Sequence, residues 1–299
     1  MNPTQKTFSI VTIVLNDNAG FLKTAGSIER LTDQDFEWIV IDGASSDGTV
    51  ESVEARLAKI AIFRSERDRG IYDAMNKGLR LATGEYVVFM NAGDEFATPN
   101  ALGLIKAGIQ SAKADKPGIQ IDVILGGARL VFPKGETVYK APRPPGYVKH
   151  SLPANHQSTF VRTELHQSAE FPDGYRVCGD FAAVARIISS GACVLVLDEE
   201  IALRDTVMES TAVKSRDKIY EECQAVQRDI LGLSDDYIAR SHRKRVFNQE
   251  LRRLLTRLGS NSLGSFAIKS ALRILRIEKK RRPTRALKLY VAGQAYDAF

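Results

Sequence analysis

Carboxylates and amides at the ends of apolar runs are the residues here whose placement suggests chemistry. The run Tyr86-Val87-Val88-Phe89-Met90 stops abruptly at Asn91, and Gly93, Asp94 and Glu95 follow. Polar groups at the tip of a buried strand are costly to desolvate unless something pairs with them. A hard cation such as Mg2+ or Mn2+ needs few protein carboxylates when a diphosphate supplies its other oxygens. Asp94 is the best candidate for that ligand, and Glu95 also reads as a solvated helix-start residue. Asp42 follows Ile39-Val40-Ile41 with no spacer. It is placed to accept hydrogen bonds from a nucleobase imide or a ribose hydroxyl. Asp68 and Arg69 are candidates to hold a nucleotide sugar or its phosphates. Asp73 and Asn76, spaced i,i+3, share a helix face near Lys77; they also fit a surface helix carrying salt bridges. Asp180 follows Gly179 at a helix start, where an acid complements the helix dipole or serves as a general base. His156 and Gln157 lie in a polar cluster between Pro153 and a short strand.

These residues need elements to position them. Strand patterns at Phe8–Leu15, Phe36–Ile41, Ile60–Arg64 and Tyr86–Met90 alternate with helical patterns at Phe21–Leu31, Val50–Leu57 and Ile71–Leu81. Gly84 reads as a helix stop. The alternation predicts an α/β fold, a mostly parallel sheet flanked by helices. Ligands of such sheets bind beyond the carboxyl ends of the strands. The four ends here are Asn16-Asp17, Asp42-Gly43, Glu66 to Arg69, and Asn91 to Glu95, all polar.

Past residue 100 the pattern loosens. A helix is expected over Ala101–Ala112, a strand over Asp122–Leu125, and a hairpin pairing Arg129–Phe132 with Thr137–Tyr139 across Pro133-Lys134-Gly135. A Pro-rich loop runs from Pro142 to Pro153, then come a helix at Asp180–Ser189 and a strand at Ala192–Leu197. From about Lys214 the chain reads as helical and charged. We place a domain boundary near residues 205–213, with a catalytic domain over 1–210 and a basic helical extension over 211–299.

The net charge of +6 is unevenly spread. Residues 240–299 hold 16 Lys and Arg against three acids, a balance of +13, which leaves 6 − 13 = −7 for the rest. Leu251, Leu254, Leu255 and Leu258 are at helical spacing among arginines. Leu272 to Ile277 precedes Lys279-Lys280-Arg281-Arg282. Residues 240–290 therefore suit an anionic membrane surface, or packing against protein with the charges solvated. Few aromatics interleave with these charges, so no nucleic-acid partner is expected. Cys178, Cys193 and Cys223 lack metal-like spacing and read as reduced thiols. The run Phe8–Leu15 is too short for a secretory leader, and no stretch approaches the length of a membrane span. A cytoplasmic protein is expected, peripheral on the inner face of the membrane if the tail binds lipid.

The chain has no Gly-Lys-Ser/Thr phosphate loop and no alternating oxygen ligands of a calcium loop. A nucleotidyltransferase acting on sugar phosphates would use the same architecture, but Val11–Asn18 holds no glycine for its phosphate loop. A basic membrane-binding adaptor would account for the tail and leave the polar strand tips unexplained.

Four ordered segments carry a resemblance to a known family: Phe8–Asn16, Glu37–Thr49, Asp68–Gly78 and Asn91–Asp94. Together they resemble family 2 glycosyltransferases of the GT-A fold, and His156-Gln157-Ser158 and Gly179-Asp180-Phe181 resemble the acceptor-side half of that pattern. The resemblance covers about residues 8–205. It implies an inverting, hexosyltransferase-like enzyme using a UDP- or GDP-sugar donor, a divalent metal (Mn2+ or Mg2+), and a glycan or lipid-linked acceptor, as in cell-surface polysaccharide or glycolipid synthesis. By position, Ile13, Leu15, Asn16, Asp42, Asp68, Arg69, Asn76, Asn91 and Gly93 would bind the donor, and Asp94 the metal. Asp180 would be the base, with His156 and Gln157 on the acceptor or phosphate side. The family often has two adjacent acids at the metal strand. Gly93 takes the first place here, and Asn91 is the substitute for its ribose contact.

Overall fold

The computed structural model describes residues 5–133, 135–205, 216–243 and 287–291. Its first half alternates as the periodicity predicts. Strands β1 (Phe8–Val14), β2 (Phe36–Asp42), β3 (Ile62–Ser65) and β4 (Tyr86–Phe89) are separated by helices α1 (Asn18–Glu29), α2 (Thr49–Glu54) and α3 (Ile71–Leu81). The strands lie in the order β3-β2-β1-β4, all parallel. β1 is buried along its whole length. Apolar residues on both faces of β1 and β2 feed two separate cores, as a sheet covered on both sides requires.

The second half is mixed. It comprises β5 (Glu95–Phe96), α4 (Ala101–Asp115), β6 (Val123–Val131), β7 (Thr137–Lys140), β8 (Thr159–Arg162), α5 (Thr163–Ala169), α6 (Gly179–Ser189) and β9 (Val194–Asp205). β8 runs antiparallel between β4 and β6, and β9 pairs parallel with β6. The expected hairpin forms between β6 and β7. β9 extends eight residues beyond the apolar run that predicts it, through Asp198-Glu199-Glu200. A register shift at Gly126-Gly127 of β6 allows this, and Arg129 then pairs with Glu200.

Two expectations are corrected. Gly84 is not the stop of α3, which ends at Leu81. Gly84 is instead where the chain crosses the start of β1: a Cβ there would meet the Phe8 carbonyl carbon at 2.7 Å. The C-terminal region is also not purely helical. After α7 (Arg216–Ala225) and a π-helical stretch, Val226–Ile230, the chain returns as strand β10 (Leu287–Tyr290), antiparallel to β9. Leu287 and Leu289 join one core while Tyr290 packs on another, so the period here is two. The boundary at 205–213 lies almost wholly outside the described residues. So does the basic tail, apart from 240–243 and 287–291. Among the described residues no helix is long and apolar enough to cross a membrane.

Candidate functional site

The carboxyl ends of β1, β2 and β4 lie side by side, and the polar residues after them meet. Asp42 ends β2 and is fully buried. Its Oδ2 accepts the Ser45 amide at 3.0 Å and the Ser65 hydroxyl at 2.6 Å, while Oδ1 is buried without a partner. An unsatisfied buried acceptor costs about 1–3 kcal/mol, so Oδ1 is an opening for a ligand donor. Asn16 (φ 48°) and Ala44 (φ 67°) both adopt left-handed backbone. Such strain, about 1–3 kcal/mol for a non-glycine residue, concentrates at functional sites. The two turns hold each other: the Asn16 amide donates to Ser45 Oγ, and the Ser46 amide donates to Asn16 Oδ1.

Asp68 belongs to the same corner. A Cβ on Gly43 would fall 2.6 Å from Asp68 Oδ2 and 3.0 Å from the Leu15 side chain. Glycine at 43 is what lets that carboxylate and Leu15 close on the backbone after Asp42. Leu15 is exposed and Ile13 buried. Arg69, just before α3, is turned back onto that helix, where it pairs with Asp73 at 2.9 Å and holds that carboxyl below the usual range. Asn76 is committed elsewhere. Its amide donates to the Phe171 carbonyl and accepts the Phe171 amide, clamping two distant segments.

Asp94 sits just past β4, buried, with Oδ1 accepting from Gln157 Nε2 at 3.0 Å. Burial pushes its carboxyl up, against the pull of His156, Gln157 and Arg204. Asn91 Oδ1 is buried with no partner. Gly93 has φ 91° with open space around its Cβ position, and its amide donates to the Gly20 carbonyl. Glycine is therefore favoured at 93 by backbone conformation, which a second acid would strain. Thr24 was not foreseen. Its hydroxyl, on the buried face of α1, lies 3.0 and 2.7 Å from the carbonyls of Asn91 and Asp94 and fixes this turn. A lone threonine among Phe21, Ala25 and Ile28 was the available signal.

Asp180 arrives from the other direction, in the first turn of α6. Oδ1 accepts its neighbour's amide, Phe181 N, at 2.7 Å, and Tyr72 Oη lies 3.4 Å away. Oδ2 lies 3.3 Å from His156 Nδ1, and His156 Nε2 lies 3.9 Å from Asp94 Oδ2. One imidazole thus spans the gap between the acid after β4 and the acid at the start of α6. Nε2 is buried without a hydrogen-bond partner. Beside this line a cavity of about 560 Å³ opens, walled by Arg69, Tyr72, Asp73, Phe171, Tyr175 and Arg176. It reaches the site through Tyr72; Asp42 and Asp94 do not line it.

A parallel half-sheet whose strand tips lead into Asp42 and Asp94, completed by a mixed half-sheet and a helix, α6, that brings a third carboxylate toward Asp94, defines a GT-A-type glycosyltransferase. The chain belongs to glycosyl transferase family 2, whose pattern matches residues 9–182. Among curated relatives, a PGL/p-HBAD biosynthesis glycosyltransferase of Mycobacterium tuberculosis is 36% identical over 103 residues, 33% of this chain and 40% of that protein. The amylovoran biosynthesis glycosyltransferase AmsB of Erwinia amylovora is 31% identical over 94 residues, 30% of this chain and 31% of that protein. The match thus spans well under half of these relatives. Among solved structures, S. aureus TarS 1-349 in complex with UDP-GlcNAc superposes with a TM-score of 0.58 at 18% identity, covering 79% of this chain and 70% of that one. The mannosyltransferase PcManGT from Pyrobaculum calidifontis, in complex with GDP-Man and Mn2+, gives 0.55 at 16% identity, covering 93% and 82%. These two likenesses concern the fold.

Proposed function

We propose that the protein transfers a sugar, with inversion, from a nucleoside-diphosphate sugar to a hydroxyl of a glycan or lipid-linked acceptor. The observation that carries this reading is His156, held between Asp94 and Asp180. It ties a donor-side carboxylate to an acceptor-side one, which a single-displacement reaction needs on opposite flanks of the transferred sugar. The relatives named for PGL/p-HBAD biosynthesis and amylovoran biosynthesis support the acceptor class. The UDP-GlcNAc and GDP-Man complexes of the structural neighbours support the donor class.

Asp42 receives the nucleoside through its unpaired Oδ1, with Leu15 and Asp68 closing the same corner. The residues near Asp94 fit a divalent cation. Asp94 is a buried carboxylate, and Asn91 Oδ1 and His156 Nε2 are buried atoms with lone pairs and no hydrogen-bond partner. A proton on His156 Nδ1, shared with Asp180, leaves Nε2 in its ligating form. Among the described residues no group of three or more His, Cys, Asp or Glu could hold a metal. Donor diphosphate oxygens would therefore complete the coordination. A bound cation supplies Lewis-acid neutralisation of the departing diphosphate.

Asp180 is the base. Oδ1 is fixed by the Phe181 amide, and Oδ2, which faces His156 Nδ1 at 3.3 Å, keeps a second lone pair to take the proton of the attacking hydroxyl. A base so aligned contributes about 10²–10⁴-fold. Asp180→Asn is expected to lose transfer by that factor while nucleotide binding survives. Near wild-type turnover of the variant would remove Asp180 from the mechanism. Asp94→Ala is expected to weaken donor binding in Mn2+ and to leave the weaker metal-free binding unchanged, read by calorimetry. Thermal stabilisation across a panel of nucleotide sugars with Mn2+ identifies the donor.

A further inference from the structure

The residues leading into Asp180 are held from outside the segment that matches the family. Both oxygens of Glu222, on α7, face three consecutive backbone amides. Oε1 accepts Arg176 N at 2.9 Å, and Oε2 accepts Val177 N and Cys178 N, each at 2.8 Å. Glu222 is 8% exposed, so these bonds are shielded from water. The carbonyl side of the same tripeptide is held from the opposite direction: Tyr72 Oη donates to the Val177 carbonyl at 2.7 Å. Gly179 follows, and a Cβ there would come within 2.7 Å of the Tyr72 ring. Asp180 is the next residue. The turn before it is thus clamped between α3 and α7, with no slack at Gly179.

We infer that Glu222 is a positioning residue for the transfer reaction: its carboxylate, supplied by α7, sets the approach of Asp180 to the acceptor hydroxyl. This rests on the reading of Asp180 as the base. The family pattern matches residues 9–182, so Glu222 lies forty residues beyond the matched segment. A carboxylate accepting three amides cannot be replaced by an amide of the same shape. The NH2 of a glutamine would face a donor, and at least one buried N–H would lose its partner. Misplacing a catalytic group by about 1 Å can cost about 10²-fold.

The test compares full-length wild type, Glu222→Gln, Asp180→Asn and Glu222→Asp in steady-state transfer, with hydrogen exchange on each. For Glu222→Gln the expected result is a fall in kcat of about 10–100-fold with donor KM within about twofold. Exchange at residues 176–178 should rise at least tenfold, with β1 and β4 amides unchanged. Glu222→Asp keeps the charge and should recover part of the lost kcat. A kcat within twofold of wild type in Glu222→Gln overturns the inference. So does faster exchange throughout the sheet, since Glu222 would then support the fold at large. Full activity of Asp180→Asn instead defeats the base reading. The exchange pattern of Glu222→Gln still reports in that case whether α7 holds the turn, so the two failures remain separate.

Discussion

His166 is packed between the rings of Phe89 and Phe171, at centroid distances of 5.8 and 4.9 Å, and its Nδ1 has no partner. Burial pushes its pKa down to about 4. Between that value and the ordinary value near 6.5, the ring is neutral in the fold and protonated in the unfolded chain. The unfolded state then binds the extra proton, so stability falls as pH drops through this window and levels off below it. The expected loss from pH 7.5 to pH 4 is about 3 kcal/mol. Urea melts at the two pH values should show it, and His166→Phe should narrow the difference. An equal drop in the variant assigns the acid lability elsewhere. His166 and Asn76 mark what the sequence hides at this scale. A polar residue on a helix reads alike whether it meets solvent, a ligand or the far side of a core. Asp42 and Asp94 were legible because each ends an apolar run, where burial of a carboxylate has few explanations. Glu222 was not, because α7 is rich in charge and nothing sets that one apart.

Elements were legible where both faces of the sheet are covered by consecutive helices. The apolar run of β4 is continuous, those of β1 and β2 are broken only at Ser9, Thr12 and Glu37, and α3 carries a clear 3.6-residue stripe through Met75 and Leu79. β8 was legible only as a short strand after His156-Gln157, and β5 was not legible at all. They have four and two residues, and they exist because β4, β6 and β9 present open hydrogen-bonding edges to them. Their pairing is a tertiary fact with little local signal. How α3 seats on the sheet has a single-residue test. A Cβ on Gly78 would come 2.4 Å from Val11 Cγ1 and 3.3 Å from Ile41 Cγ1, both in the core. Gly78→Ala gains helix propensity, about 1 kcal/mol, but overpacking costs about 1–3 kcal/mol. Val11 is fully buried at the centre of the sheet and has nowhere to move, so overpacking wins. Denaturant unfolding should show net destabilisation of about 1 kcal/mol. A more stable variant would mean that helix and sheet are not in contact at this point.

For the whole molecule, the two half-sheets are closed by a strand from far along the chain. β10 covers the edge of β9 along Val194–Leu197, with Leu287 and Leu289 against the main core. Without it, β9 would present an unpaired, fully apolar edge of four residues, a template for pairing between chains. The basic composition around β10 suggested a helix or a lipid-binding surface. Only the alternation Leu287-Lys288-Leu289-Tyr290 announces a strand, and four residues of alternation are too few to outweigh the flanking pattern. A chain ending at residue 286 is expected to melt about 5 °C lower, since two partly buried leucines contribute about 1–2 kcal/mol together and each kcal/mol moves a domain of this size about 2–4 °C. It should also associate at micromolar concentration, visible by light scattering. Leu289→Lys in the full chain separates packing from edge cover: it should lower the melting temperature while β10 still blocks the edge, so the protein stays monodisperse to the same extent as wild type. If the truncated chain melts and scatters like the full one, β10 contributes nothing to closing the sheet. The described part of the C-terminal region would then act on the enzyme through α7 alone.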